Sequence, residues 1–173
     1  MVNPIGQPLV LYNVHTHERF VGGYRGERGP IKRQIQAISG LMRDHHRNEI
    51  MLVDPGLIEL LGALSRHFTG PKKQPPVICI LSGYRSPETN ASLAKTGEGV
   101  AVDSLHMQGR AVDIYIEGVP LALVHAEAVA LKVGGVGYYP QNGFIHIDTG
   151  RVRYWQRPAP IGNAPLNIAT KSP

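Results

Sequence analysis

At 173 residues, with 42% hydrophobic and 18% charged residues, the chain is long enough to bury a core and too apolar for a disordered one. Its net charge of +5 (18 basic, 13 acidic residues) suits an anionic partner such as an acidic cell-wall polymer, a membrane surface or nucleic acid. No run of Lys and Arg is interleaved with aromatics, which argues against nucleic acid, and no apolar stretch approaches the roughly 18 residues of a membrane span.

The opening LVLYNVHTHERFVGGY reads as two short strands around a polar turn near Thr16. Ile31, Ile35, Ile38, Leu41 and Met42 recur at helical spacing and predict a helix over 31–45, with His45 and His46 at its C-terminal end. Asp54 followed by Pro55 is a cap and first-turn signal, and Leu57, Leu60, Leu61 and Leu64 form the buried stripe of the second helix. An apolar strand over 77–81 holds Cys79, the single cysteine, which rules out an intramolecular disulfide and reads as a small core residue. Ser86 and Pro87 open a short helix to Lys95, and the segment before Arg110 reads as a loop. RAVDIYI is a strand with Ala111, Asp113 and Tyr115 on one face and Val112, Ile114 and Ile116 on the other. A helical pattern returns over 120–133, GGVGYYPQN reads as a turn, and GFIHID is a strand with RVRYW as its hairpin partner. Helices with several mostly non-alternating strands imply an α+β domain: a small antiparallel sheet with helices packed on one side. That domain is expected over 1–157, followed by an extended or mobile tail over 158–173 that is rich in Pro and Asn.

Two strands carry polar residues out of otherwise apolar runs. In GFIHID, Phe144, His146 and Asp148 share one face while Ile145 and Ile147 suit a core. Asp113 leaves RAVDIYI in the same way. If the two strands pair, Asp113 and His146 meet, and the loop holding His106 can fold over them with Gly109 at its bend. Two histidines and one carboxylate leave a coordination position open, as in a catalytic zinc site, whereas a closed structural site wants four protein ligands.

SGYRSPETN, SLHMQGRAVD, GGVGYYPQNGFIHIDTG and RVRYW resemble the MepK-type murein endopeptidases. These belong to a larger group of zinc peptidases that includes D-alanyl-D-alanine carboxypeptidases and the hedgehog signalling domain. The resemblance implies that group's fold, Zn2+ held by His106, Asp113 and His146, and hydrolysis of peptide cross-links in peptidoglycan. The bonds implied join two meso-diaminopimelate residues, or D-Ala to meso-diaminopimelate. It also implies that Arg85 acts as a cation beside the scissile carbonyl; otherwise it pairs with a carboxylate to fix its loop. Many relatives carry a Glu three residues before the last ligand or a His two before it, where this chain has Gly143 and Phe144. Asp148, about 7 Å along the strand from His146, is left as either the general base or an acceptor that holds His146. Tyr138 and Tyr139 are candidate transition-state donors and substrate contacts; Ser104 is a candidate contact or a residue that fixes its loop.

A catalytically idle, zinc-containing wall-binding module is the alternative, because the usual base is missing. The expected partner is peptidoglycan, bound by a monomer in the periplasm. MVNPIGQPLV lacks the features of a secretory signal, so an export signal is expected upstream of residue 1.

Overall fold

The computed structural model describes residues 8–70, 74–95, 101 and 103–157. The expected tail over 158–173 lies outside them. Among the described residues, nine strands are β1 (Leu9–Asn13), β2 (Arg19–Gly22), β3 (Arg25–Gly26), β4 (Gly29–Pro30), β5 (Val77–Ser82), β6 (Ala111–Ile116), β7 (Gly135–Tyr139), β8 (Phe144–Asp148) and β9 (Arg153–Gln156). The same residues form four α-helices, α1 (Lys32–Leu41), α2 (Pro55–His67), α3 (Pro87–Lys95) and α4 (Leu121–Leu131), and a 3-10 turn over Leu105–Gln108. This is an α+β arrangement. Its main sheet runs β2-β1-β5-β6-β8-β7-β9, antiparallel except for the parallel pairs β1/β5 and β7/β9.

Alternation along the strands divides the sheet into two chemically different faces. Leu11, Ile78, Ile80, Val112, Ile114, Val136, Ile145 and Ile147 join one buried cluster with α1, α2 and α4 through Ile38, Leu57, Leu61, Leu64 and Val124. Residues one place along each strand face away from that cluster. There the register pairs Asp113 with His146, Ala111 with Asp148, and Gly137 with both His146 and Trp155. Cys79 is fully buried, and burial pushes its thiol up to about 11, which leaves it inert.

The structure corrects three expectations. The first helix ends at Leu41 rather than near His45. Its exit is tied down elsewhere: Asn13 Nδ2 donates to Leu41 O at 2.8 Å, and Tyr84 N donates to Met42 O at 2.7 Å. His45 and His46 therefore lie beyond the helix, where His45 stacks on His15 at 4.1 Å. GGVGYY is largely strand β7 rather than turn. Its glycine content reflects close approach: a Cβ on Gly137 would lie 2.5 Å from the Trp155 ring. RVRYW pairs with β7 in parallel and not with β8, because both edges of β8 are already filled by β6 and β7.

Candidate metal centre

His106 is set by two short-range devices. Ser104 Oγ accepts His106 N at 3.3 Å to open the 3-10 turn, and Gly109 closes it in the left-handed region at φ +64°. The ring is then oriented by Gly83 O, which accepts from Nδ1 at 2.7 Å. A carbonyl can only accept, so Nδ1 carries the proton and Nε2 keeps its lone pair.

The same logic holds on β8. Asp148 Oδ2 faces His146 Nε2 at 3.1 Å, which puts the proton there and leaves Nδ1 as the lone pair. That Nδ1 lies 2.9 Å from Asp113 Oδ1 and 3.2 Å from His106 Nε2, while His106 Nε2 is 3.3 Å from the same carboxylate oxygen. Three acceptors thus converge, and all lie within 4.8 Å of one another. Donors bonded at about 2.0 Å to one tetrahedral ion would lie about 3.3 Å apart, so the triad fits a small divalent cation. Neutral rings and a carboxylate at this spacing repel unless a proton or a cation sits among them.

Burial disfavours charge throughout the triad. It pushes His106 down, toward the neutral form that a ligand requires. Burial opposes ionisation of Asp113 as well, but the two imidazoles outweigh it and hold the carboxyl well below the usual range. On His146 the hydrogen bonds to Asp113 and Asp148 outweigh burial and raise the pKa. The same negative surroundings that favour a proton there would also favour a cation.

The flanking residues divide by what they touch. Arg85 Nη2 donates to Asp113 Oδ2 at 2.5 Å, and its Nε donates to Ser82 Oγ at 2.7 Å. Arg85 therefore braces the carboxylate and also lines the cleft in front of it. Asp148 is 0% exposed and does not line that cleft. Its Oδ1 accepts from Gly135 N (3.0 Å), Gly150 N (2.8 Å) and Arg153 Nη1 (3.2 Å), and its Oδ2 from Arg153 Nη2 (2.7 Å) as well as His146. Burial alone would raise it, but this shell of donors holds its pKa well below the carboxylate range.

The cleft, of about 400 Å³, is lined by His106, Asp113, His146 and Arg85, with Ser104 and Tyr139 at its walls. Tyr138 lies on the helix-covered face, stacked on His125 at 4.6 Å, and does not line the cleft. Consecutive strand residues point to opposite faces, so one tyrosine of the pair had to leave the site. Trp155, Arg153, Arg157 and Asp103 line the cleft but were not singled out from sequence. Trp155 packs 5.3 Å from the His146 ring and donates from Nε1 to Tyr139 Oη at 2.9 Å, while Arg153 lies 5.0 Å over its ring. The period-two spacing of Arg153, Trp155 and Arg157 was the available signal. Other histidines make local contacts: Tyr12 Oη lies 2.6 Å from His17 Nδ1, and His67 lies 3.1 Å from Glu127.

The family model described as "Peptidoglycan L,D-endopeptidase MepK" matches residues 5–155. The peptidoglycan L,D-endopeptidase MepK of Escherichia coli (strain K12) is 39% identical over 147 residues, covering 85% of this chain and 79% of the relative. A probable peptidoglycan L,D-endopeptidase MepK of Haemophilus influenzae is 38% identical over 148 residues, with 86% and 78% covered. No solved structure gives a significant match.

Proposed function

This chain belongs to the peptidoglycan L,D-endopeptidase MepK family, and from that membership we propose that it is a zinc-dependent hydrolase of peptide cross-links in peptidoglycan. The bond proposed runs between an L-centre and a D-centre, as between two meso-diaminopimelate residues. The observation that carries the reading is the convergence of His106 Nε2, Asp113 Oδ1 and His146 Nδ1 in the wall of an open cleft. These three atoms are the proposed ligands.

Zinc, when bound, polarises a carbonyl and brings the pKa of water down to about 7. The protein's own residues do the remaining work. Arg85 keeps Asp113 in place and presents a cation to the oxyanion that develops on the scissile carbonyl. Asp148 keeps the His146 ring in one tautomer and orientation. Tyr139 and Trp155 form a wall against which an extended peptide lies, and Ser104 fixes the loop at its rim. Peptidoglycan lies outside the cytoplasmic membrane, so the proposed place of action is the periplasm, with the catalytic unit over 1–157. None of the described helices is long and apolar enough to cross a membrane.

Digestion of purified sacculi tests the reading. Cross-linked muropeptide dimers should convert to monomers on mass analysis, and the conversion should stop with a chelator or with His106→Ala. Dimers that persist with the metal-loaded wild-type protein would refute it and favour an idle wall-binding module.

A further inference from the structure

Hydrolysing an amide needs a group that takes a proton from water and later returns one to the leaving nitrogen. The residues of the metal centre do not supply it. Asp113 is committed on both oxygens, Oδ1 to the two histidines and Oδ2 to Arg85. Asp148 is walled off behind His146 and saturated by donors. Positions 143 and 144 are Gly and Phe, which accept no proton. Arg85, Arg153 and Arg157 line the cleft as well, but a guanidinium offers no lone pair to accept a proton. The oxygen of Tyr139 already accepts from Trp155 Nε1.

Asp103 is the remaining carboxylate among the described residues lining this cleft. It is exposed, and no hydrogen bond or ion pair engages its carboxylate among the described residues. Its backbone is nevertheless anchored, because the next residue, Ser104, caps the turn that carries His106. A free carboxylate thus stands three residues from a metal ligand, on the same loop and in the same cleft.

We propose that Asp103 is the proton carrier of the hydrolysis, an assignment that rests on the peptidoglycan hydrolase reading. Its carboxylate takes a proton from the attacking water as the water oxygen bonds to the scissile carbonyl carbon. It returns that proton to the amide nitrogen as the C–N bond breaks. One water is consumed, and one carboxylic acid and one amine leave.

The test compares full-length, metal-loaded wild type, Asp103→Asn and Asp103→Glu on a defined cross-linked muropeptide dimer. Rates are followed against pH, alongside metal content and thermal melting. Asp103→Asn should lower kcat by roughly 10²–10⁴, leave KM within about twofold, and abolish the acid limb of the kcat profile. Metal content and melting should match wild type, and Asp103→Glu should recover part of the rate with an acid limb. The assignment falls if Asp103→Asn keeps wild-type kcat, keeps the acid limb, or loses activity through KM alone. The last result would make Asp103 a contact for a substrate ammonium group. A wild type that leaves the dimer intact would sink the hydrolase reading itself, and this role with it.

Discussion

His106 and His146 stand forty residues apart in sequence, yet their ring nitrogens face each other at 3.2 Å. Each ring has its other nitrogen engaged, by Gly83 O and by Asp148. The facing atoms are therefore two lone pairs in the neutral rings, beside a buried carboxylate. Such an arrangement gains most when a cation enters. The purified protein should hold about one zinc per chain, and stripping it should lower the melting temperature. Titrating zinc back should restore stability, by about 2.7 kcal/mol at a hundredfold excess over Kd. Melting curves indifferent to chelator and zinc would contradict this.

Asp148→Asn tests the role of the buried carboxylate. If it orients the proposed ligand His146 from behind, its loss should cost roughly 10–100-fold in zinc affinity or activity. Arg153→Gln should reproduce part of that loss, because Arg153 donates two hydrogen bonds to Asp148. Zinc titration and pH profiles are the readouts. A variant that binds zinc normally, yet loses its acid limb, would show that Asp148 itself handles the proton.

Two duties are proposed for Arg85, and its variants should separate them. Arg85→Ala should lower the rate by roughly 10²–10³, the loss typical of an oxyanion donor. It should also weaken zinc binding, since Asp113 Oδ2 loses its partner. Arg85→Lys should restore much of the zinc affinity and less of the rate, as a point charge replaces a planar fork. Full turnover in Arg85→Ala would remove Arg85 from the chemistry.

The sequence made the sheet's two faces legible because β6 and β8 alternate cleanly. Asp113 and His146 leave runs of Ile and Val, and the register pairs them directly. The place of Asp148 was harder to read. Its strand position shows the face it shares with His146, but not the shell formed by Gly135, Gly150 and Arg153. That shell depends on β9 crossing to the far edge of β7, a non-local pairing that local turn signals cannot encode. Gly137 misled for a related reason: glycine marks turns and close approaches alike, and here it makes room for Trp155.

Asp44 predicts a pH dependence remote from the candidate metal centre. It is 2% exposed; burial would raise its pKa, but hydrogen bonds from Thr89, Ser86 and His46 bring it down to about 2 from 3.8. A depressed carboxylate stabilises the fold above its unfolded pKa, and the contribution is lost as pH falls through the folded one. That difference is worth about 2 kcal/mol at neutral pH. Asp44→Asn should be less stable than wild type at pH 7, and the gap should close between about pH 4 and pH 2. Denaturant midpoints across that range provide the check. A constant gap would assign the effect to packing rather than charge.

The two-faced sheet also acts as a safeguard on assembly. Side chains alternate, so a slip of β8 by one residue against β6 would turn His146 and Asp148 toward the helices and expose Ile145 and Ile147. A chain mispaired in this way would bury a charge in its hydrophobic interior and forfeit much of what holds it together. Few such molecules would survive as compact species. The pairing that builds the core also aligns the three proposed ligands, so any preparation that melts cooperatively should carry them already in place.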